Sequence, residues 1–104
     1  MIYDILYRGI KETNTPNPNG MWLSTSEEYA SLYGKVLEYQ IPLSVLDNLA
    51  SEQEALEYCL DDSGEEYPFY DDTLFDIDKM KKIGYSGYYY IEEEYCCLNV
   101  FLFN

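Results

Sequence analysis

Residues 85–103, YSGYYYIEEEYCCLNVFLF, decide how the chain is read. Two runs rich in aromatic and aliphatic residues flank three consecutive glutamates, the pattern of a β-hairpin with a charged turn. Side chains alternate across a strand, so counting by twos from Glu94 gives Cys96, Leu98, Val100 and Leu102, an apolar face. The other face carries Tyr95, Cys97, Asn99, Phe101 and Phe103. On this parity Glu94 stands at the mouth of the core side. Glu92 shares that side if the strand extends backward, and Glu93 points out. Taken alone, the glutamates fit a charged turn that blocks edge pairing.

Working outward, IYDILYRG (2–9) reads as a strand ending at Gly9. The Pro- and Asn-rich stretch 10–20 reads as loop, and MWLS (21–24) as a second short strand. TSEEYASLYG (25–34) predicts a two-turn helix, with Thr25 and Glu28 as a capping box and Gly34 as its C-terminal stop. Tyr29, Leu32 and Tyr33 then share one face of that helix. KVLEYQIP (35–42) alternates as a half-buried strand. Residues 43–60 read as one broken or two short helices, and 61–72 as loop. TLFDIDKMKKIG predicts a further helix starting near Asp72 or Thr73, with lysines complementing the dipole at its end and Gly84 closing it. The order is that of an α+β domain whose sheet is assembled from distant strands, one domain spanning 1–104.

Composition bounds the function. A chain of 104 residues makes one modest core, and 47% hydrophobic with 17% aromatic content argues against disorder despite a net charge of −14. No run approaches the ~18 apolar residues of a membrane span, so no membrane partner is expected. MIYDILYRGIK lacks a basic segment followed by an apolar run, so no signal peptide is expected. Three cysteines, Cys59, Cys96 and Cys97, cannot all pair, which suits a reducing, cytoplasmic setting. The chain has no histidine, which excludes Ser-His and Cys-His nucleophile systems and histidine metal sites. There is no glycine-rich phosphate loop. Of the 20 acidic residues, 11 lie from Glu52 to Asp78, and no Lys or Arg occurs between Lys35 and Lys79. Such a surface repels nucleic acid and steers basic partners.

Two further features are candidates for chemistry. Arg8, the only arginine, precedes Gly9 at the end of the first strand. A guanidinium there can clamp a diphosphate bidentately, and a glycine lets backbone approach a ligand. Ser24, Thr25 and Ser26 stand where a strand turns into a helix, a common kind of helix start.

Arg8 ending the first strand, the Ser-Thr-Ser turn and the late Glu-x-Glu occur in an order that resembles the R–S–E pattern of the ADP-ribosyltransferase-like fold. STSEEYASLYG, KVLEYQIPLSVLDNL and KKIGYSGYYYIEEEYCCLNVF are similar to segments of small bacterial and phage members, the phage anti-CRISPR ADP-ribosyltransferases among them. The resemblance covers most of the chain and is weakest from Ser51 to Asp72. It implies a compact fold with a split antiparallel or mixed sheet and a few short helices. It also implies an enzyme that cleaves NAD, its substrate, and transfers ADP-ribose to a protein, here an inhibitor of bacterial defence acting in the host cytoplasm. On that resemblance Arg8 holds the NAD phosphates or ribose, and Gly9 offers backbone hydrogen bonds to the nicotinamide amide. Ser24, with Thr25 beside it, supports the catalytic glutamate and the nicotinamide ribose. Tyr29 or Tyr33 stacks on the nicotinamide ring, Tyr29 being preferred. Glu94 is the catalytic carboxylate, and Glu92 orients or deprotonates the acceptor.

The acidic stretch from Glu52 to Asp78 exceeds what that family requires and motivates an alternative. On this reading the protein is a non-catalytic, nucleic-acid-mimicking decoy that blocks a basic surface of a defence protein. The two readings coexist if an acidic flank docks the enzyme on a nucleic-acid-handling target.

Overall fold

The computed structural model describes residues 3–11, 16–60 and 68–104. It is a mixed α+β domain with six strands and four short helices: β1 Tyr3–Ile10, β2 Gly20–Ser24, α1 Glu27–Ser31, β3 Lys35–Pro42, α2 Leu43–Leu46, β4 Leu49–Ala50, α3 Glu52–Leu56, α4 Ile77–Ile83, β5 Gly87–Glu92 and β6 Cys97–Phe103. Two single 3-10 turns, Pro68–Tyr70 and Asp72–Leu74, precede α4. The loop reading of 12–15 and 61–67 falls outside the described residues. Among the described residues, no helix is long and apolar enough to cross a membrane.

The hairpin expected at the C-terminus forms, with Glu92 opposite Cys97 and Gly87 opposite Leu102. Strand β6 lies inside the sheet, whose order is β3-β1-β2-β6-β5-β4. It is therefore apolar on both sides. Phe101 packs with Tyr88, Phe75 and Met80 on one face, while Val100 and Leu102 join Leu6, Leu23 and Ile41 on the other. Full burial of each such side chain contributes roughly 1.5–3 kcal/mol. All pairings are antiparallel except β4–β5, where Leu49 and Ala50 run parallel to Gly87 and Tyr88. That two-residue strand splits the stretch expected to be helical into α2 and α3.

The sheet is almost divided. β1 and β3 pair over eight residues, and β2 and β6 over five, yet β1 and β2 share a single register pair, Tyr7 with Ser24. Beyond it the two strands separate.

Two helix starts differ from the sequence expectation in an instructive way. Ser26, not Thr25, caps α1, its Oγ accepting from Tyr29 N at 3.1 Å. Thr25 is engaged elsewhere: its N–H donates to Leu98 O and its Oγ1 accepts from Leu98 N, both at 3.0 Å, so it extends the β2–β6 ladder. α4 begins at Asp76, four residues after Asp72, because Asp72 is buried and accepts the Asn17 and Asn19 amides at 3.1 and 3.0 Å. The capping box lies at α3, where Ser51 and Glu54 exchange hydrogen bonds. Gly84 ends α4 with φ of 119°, as the left-handed stop requires.

Gly9 has a packing reason to be glycine. A Cβ there would fall on the carbonyl oxygen of Ala30, with the Tyr33 Cβ at 3.0 Å. The residue thus lets α1 lie directly on β1. Gly9→Ala is expected to lower stability by about 1–3 kcal/mol, the range for overpacking a close contact. Urea unfolding followed by far-ultraviolet circular dichroism measures it, and an unchanged midpoint would contradict the packing role.

Candidate functional site

The register builds the site. Residues directly opposite one another in a sheet share a face, and Glu38 pairs with Tyr7, Tyr7 with Ser24, Ser24 with Asn99, and Asn99 with Tyr90. A row of polar side chains therefore crosses five strands on one face. Two residue pairs further along β5 and β6, Glu92 and Cys97 face the same way. Helix α1 adds Tyr29, and the turn after it adds Tyr33.

Of these groups, Tyr7, Ser24, Asn99, Tyr90, Glu92, Tyr29 and Tyr33 line a cleft of about 750 Å3 that runs into the gap between β1 and β2; Glu38 and Cys97 do not. Both parities line it on those strands, Tyr7, Arg8 and Gly9 on one side and Met21 to Ser24 on the other, because the gap exposes the strand edges. The size suits a nucleotide-scale ligand. Its chemistry is unlike that of the rest of this acidic protein. Arg8 and Lys11 are two of the chain's six basic residues, and among the described residues Glu92 is the one carboxylate in the lining. Tyr7, Trp22, Tyr29, Tyr33, Tyr70 and Tyr90 supply aromatic surface.

Buried polar contacts hold the floor. Ser24 is 3% exposed; its Oγ accepts from Ser26 N at 3.0 Å and donates to Cys97 Sγ at 3.5 Å. Asn99, also 3% exposed, donates to the Tyr90 hydroxyl at 3.0 Å. The Tyr29 and Tyr33 hydroxyls are 2.9 Å apart, and the Tyr29 ring meets Tyr95 edge-on. Among the described residues no buried side-chain nitrogen or oxygen lacks a partner. The floor is thus a satisfied network, which is what keeps buried polar groups from destabilising the fold.

The phenols are kept protonated. The hydrogen bond to Tyr29, then burial, pushes Tyr33 up to about 12, and the nearby Glu92 charge adds to the rise. Burial raises Tyr29 and Tyr90 in the same direction, Tyr90 again with a contribution from Glu92.

The residues singled out in the sequence divide as follows. Arg8, Gly9, Ser24, Tyr29, Tyr33 and Glu92 converge on the cleft. Thr25 is exposed and absent from the lining, being used by the β2–β6 ladder. Glu94 also lies outside the lining, in the exposed turn between Glu92 and Cys97. Strand parity carried back from β6 groups Glu94 with Leu98, Val100 and Leu102, but the cleft lies on the other face of β6, that of Cys97 and Asn99. Glu92 does not share the side expected for Glu94: it joins the cleft face through its pairing with Cys97. Glu94 itself belongs to neither strand, and the turn that holds it includes Cys96 with φ of 50°. Within the turn Cys96 N donates to Glu93 O at 3.3 Å.

Sequence reasoning passed over Asn99, Tyr90, Trp22, Tyr7 and Lys11 as site residues. Asn99 carried a signal, a lone amide in an otherwise apolar strand. Among 13 tyrosines, Tyr7 and Tyr90 did not stand out; Trp22, the single tryptophan, carried a signal that was not used. Comparison with protein-family models, curated proteins and solved structures finds no match to this chain.

The raised tyrosines carry a pH signature. A folded-state pKa above the ordinary value near 10 means that the native state holds its proton longer than the unfolded chain. The stability contributed by Tyr33 is therefore complete below about pH 10 and is lost as pH rises to about 12. The urea midpoint is expected to fall across that window, less steeply in Tyr33→Phe. Tyr29, Tyr88 and Tyr90 are raised too, so the slope diminishes without vanishing. Equal slopes would separate Tyr33 from the effect.

Proposed function

We propose that the protein is an NAD-dependent mono-ADP-ribosyltransferase of the ADP-ribosyltransferase-like kind, with Glu92 as its catalytic carboxylate. The observation that carries this reading is that Arg8 of β1, Ser24 of β2 and Glu92 of β5, distant in sequence, line one cleft together with Tyr29 and Tyr33. The near-division of the sheet between β1 and β2 agrees with the split sheet that the resemblance implies.

Each group has a role in cleaving the bond between nicotinamide and ribose. Arg8, with Lys11 beside it, neutralises the diphosphate and fixes the dinucleotide in the cleft. Tyr29 or Tyr33 faces the nicotinamide ring. As the bond breaks, nicotinamide leaves as a neutral molecule with the bonding electron pair, and the ribose develops oxocarbenium character. Glu92, hydrogen-bonded to the ribose 2′-hydroxyl, stabilises that charge more than it stabilises the substrate. A nucleophile of the acceptor then bonds to the anomeric carbon and releases its proton to solvent. Ser24, fixed by Ser26 N, holds the floor beneath the ribose. The acceptor we propose is a protein with a basic, nucleic-acid-binding surface, as in a bacterial defence complex. The acidity of residues 52–78 would steer such a partner.

Release of nicotinamide from NAD, with mass measurement of the partner for one added ADP-ribose, tests the reading. Glu92→Gln is expected to lower the rate by ~10²–10³. Glu94→Gln is expected to leave it unchanged. Equal rates in wild type and Glu92→Gln would remove Glu92 from the chemistry. Partner binding without any adduct, surviving Glu92→Gln and weakening steeply with salt, would favour the acidic decoy instead.

A further inference from the structure

The two ends of the sheet are finished differently. At one end β4 has only two residues, and past it Glu52 reaches the flank of β5, where its Oε1 accepts from Ile91 N at 2.8 Å. At the other end stands β3, eight residues long and paired with β1 along its whole length. Among the described residues no other strand pairs with the outer edge of β3. Its register on β1 runs without a bulge, and no proline interrupts it before Pro42. Bulges, prolines and short length are the usual devices that protect an edge, and β3 has none of them along its middle. It presents a row of backbone donors and acceptors to another strand.

We infer that β3 is the seam of a homodimer, pairing antiparallel with β3 of a second copy about a two-fold axis at Tyr39. Such an axis stands perpendicular to the sheet, sets one residue opposite itself and keeps each face continuous. The sequence of β3 discriminates among the centres. Centring on Glu38 opposes two carboxylates, centring on Leu37 sets Glu38 against Val36, and centring on Gln40 sets Glu38 against Pro42. With Tyr39 at the axis, Glu38 meets the Gln40 amide of the second copy, Leu37 meets Ile41 and Val36 meets Pro42. No like charges are then opposed, and symmetry supplies the carboxylate–amide pair twice. Both side chains are exposed and, among the described residues, form no hydrogen bond within one copy. The row Tyr90, Asn99, Ser24, Tyr7 and Glu38 would continue into Gln40 and Ile5 of the second copy. One strand against one strand is a small contact beside the ~1,200–2,000 Å2 of a stable interface, so the association is reversible. Each copy carries −14, so salt strengthens the dimer by screening the repulsion. The inference is independent of the chemistry proposed for the cleft.

Sedimentation equilibrium over a series of protein and salt concentrations measures the association. The wild-type protein is expected to dimerise, more tightly as salt rises from about 0.01 M to about 1 M and the screening length falls from ~30 to ~3 Å. Gln40→Lys should tighten the dimer about fivefold and Gln40→Glu weaken it about fivefold, each change acting twice across the axis. Gln53→Lys and Gln53→Glu, on α3 beside the opposite end of the sheet, alter the net charge equally and should shift the affinity by less than about twofold. Exchanging the pair, Glu38→Gln with Gln40→Glu, keeps the net charge and should restore the wild-type affinity to within about twofold. Circular dichroism establishes that each variant is folded. A protein monomeric under every condition would overturn the self-pairing and leave the edge to a strand of another chain. A dimer indifferent to both Gln40 substitutions, or as weak in the exchange as in Gln40→Glu, would overturn the seam at β3.

Discussion

Between β1 and β2 the sheet is one residue pair wide, and both its integrity and its cleft depend on that pair. Tyr7 opposite Ser24 is the bridge that carries the register from the β3–β1 ribbon into the four-stranded remainder. A longer ladder would close the gap that Arg8 and Gly9 line. Besides that pair, helix α1 and the core of Leu6, Leu23, Ile41, Val100 and Leu102 join the two parts. α1 lies across the junction, which is possible because Gly9 has no Cβ to meet the Ala30 carbonyl. The helix brings Tyr29 and Tyr33 over the gap in the same step. Fold and cleft geometry are thus set by one local constraint.

Around that junction the protein buries polar groups without leaving them unpaired. Trp22 packs edge-on against Tyr88 and Tyr90, with ring centroids 5.8 Å away in each case. The Tyr88 hydroxyl reaches the Phe69 carbonyl at 2.9 Å, and the Tyr90 hydroxyl meets Asn99. Tyrosine suits this core because it contributes aromatic area and can satisfy its hydroxyl at the margin. The buried Asp72 ties the segment before β2 to the turn preceding α4 through Asn17 and Asn19. Asn104 reinforces the tie from the C-terminus, donating to Pro18 O at 2.7 Å. One wall of the cleft is therefore anchored to the aromatic core.

Electrostatics divide the molecule into two regimes. The chain is strongly acidic overall, at −14. Among the described residues, the cleft lining carries two cations and one carboxylate. The phenols, held protonated, add no charge of their own.

Much of this was legible in the chain. Alternation marked β3 and β6, and Gly84 with its preceding lysines marked the end of α4, because periodicity and terminal residues are local properties of backbone geometry. Arg8 and Ser24 were legible as candidates since each sits where a strand terminates. Local rules failed where a distant partner competed for the same group. Leu98 engages Thr25, and the Asn17 and Asn19 amides engage Asp72, so the helices begin one residue and four residues later than capping preference suggests. Likewise β4 is helical by composition and becomes a strand only because Gly87 and Tyr88 offer an edge. The choice between glutamates was also tertiary. Sequence established that carboxylates cluster at the hairpin; the register of β5 on β6, with Glu92 opposite Cys97, decided that Glu92 joins the cleft face while Glu94 falls in the turn. Which face of β6 lines the cleft depends on the strands beside it, and alternation along one strand does not reveal that.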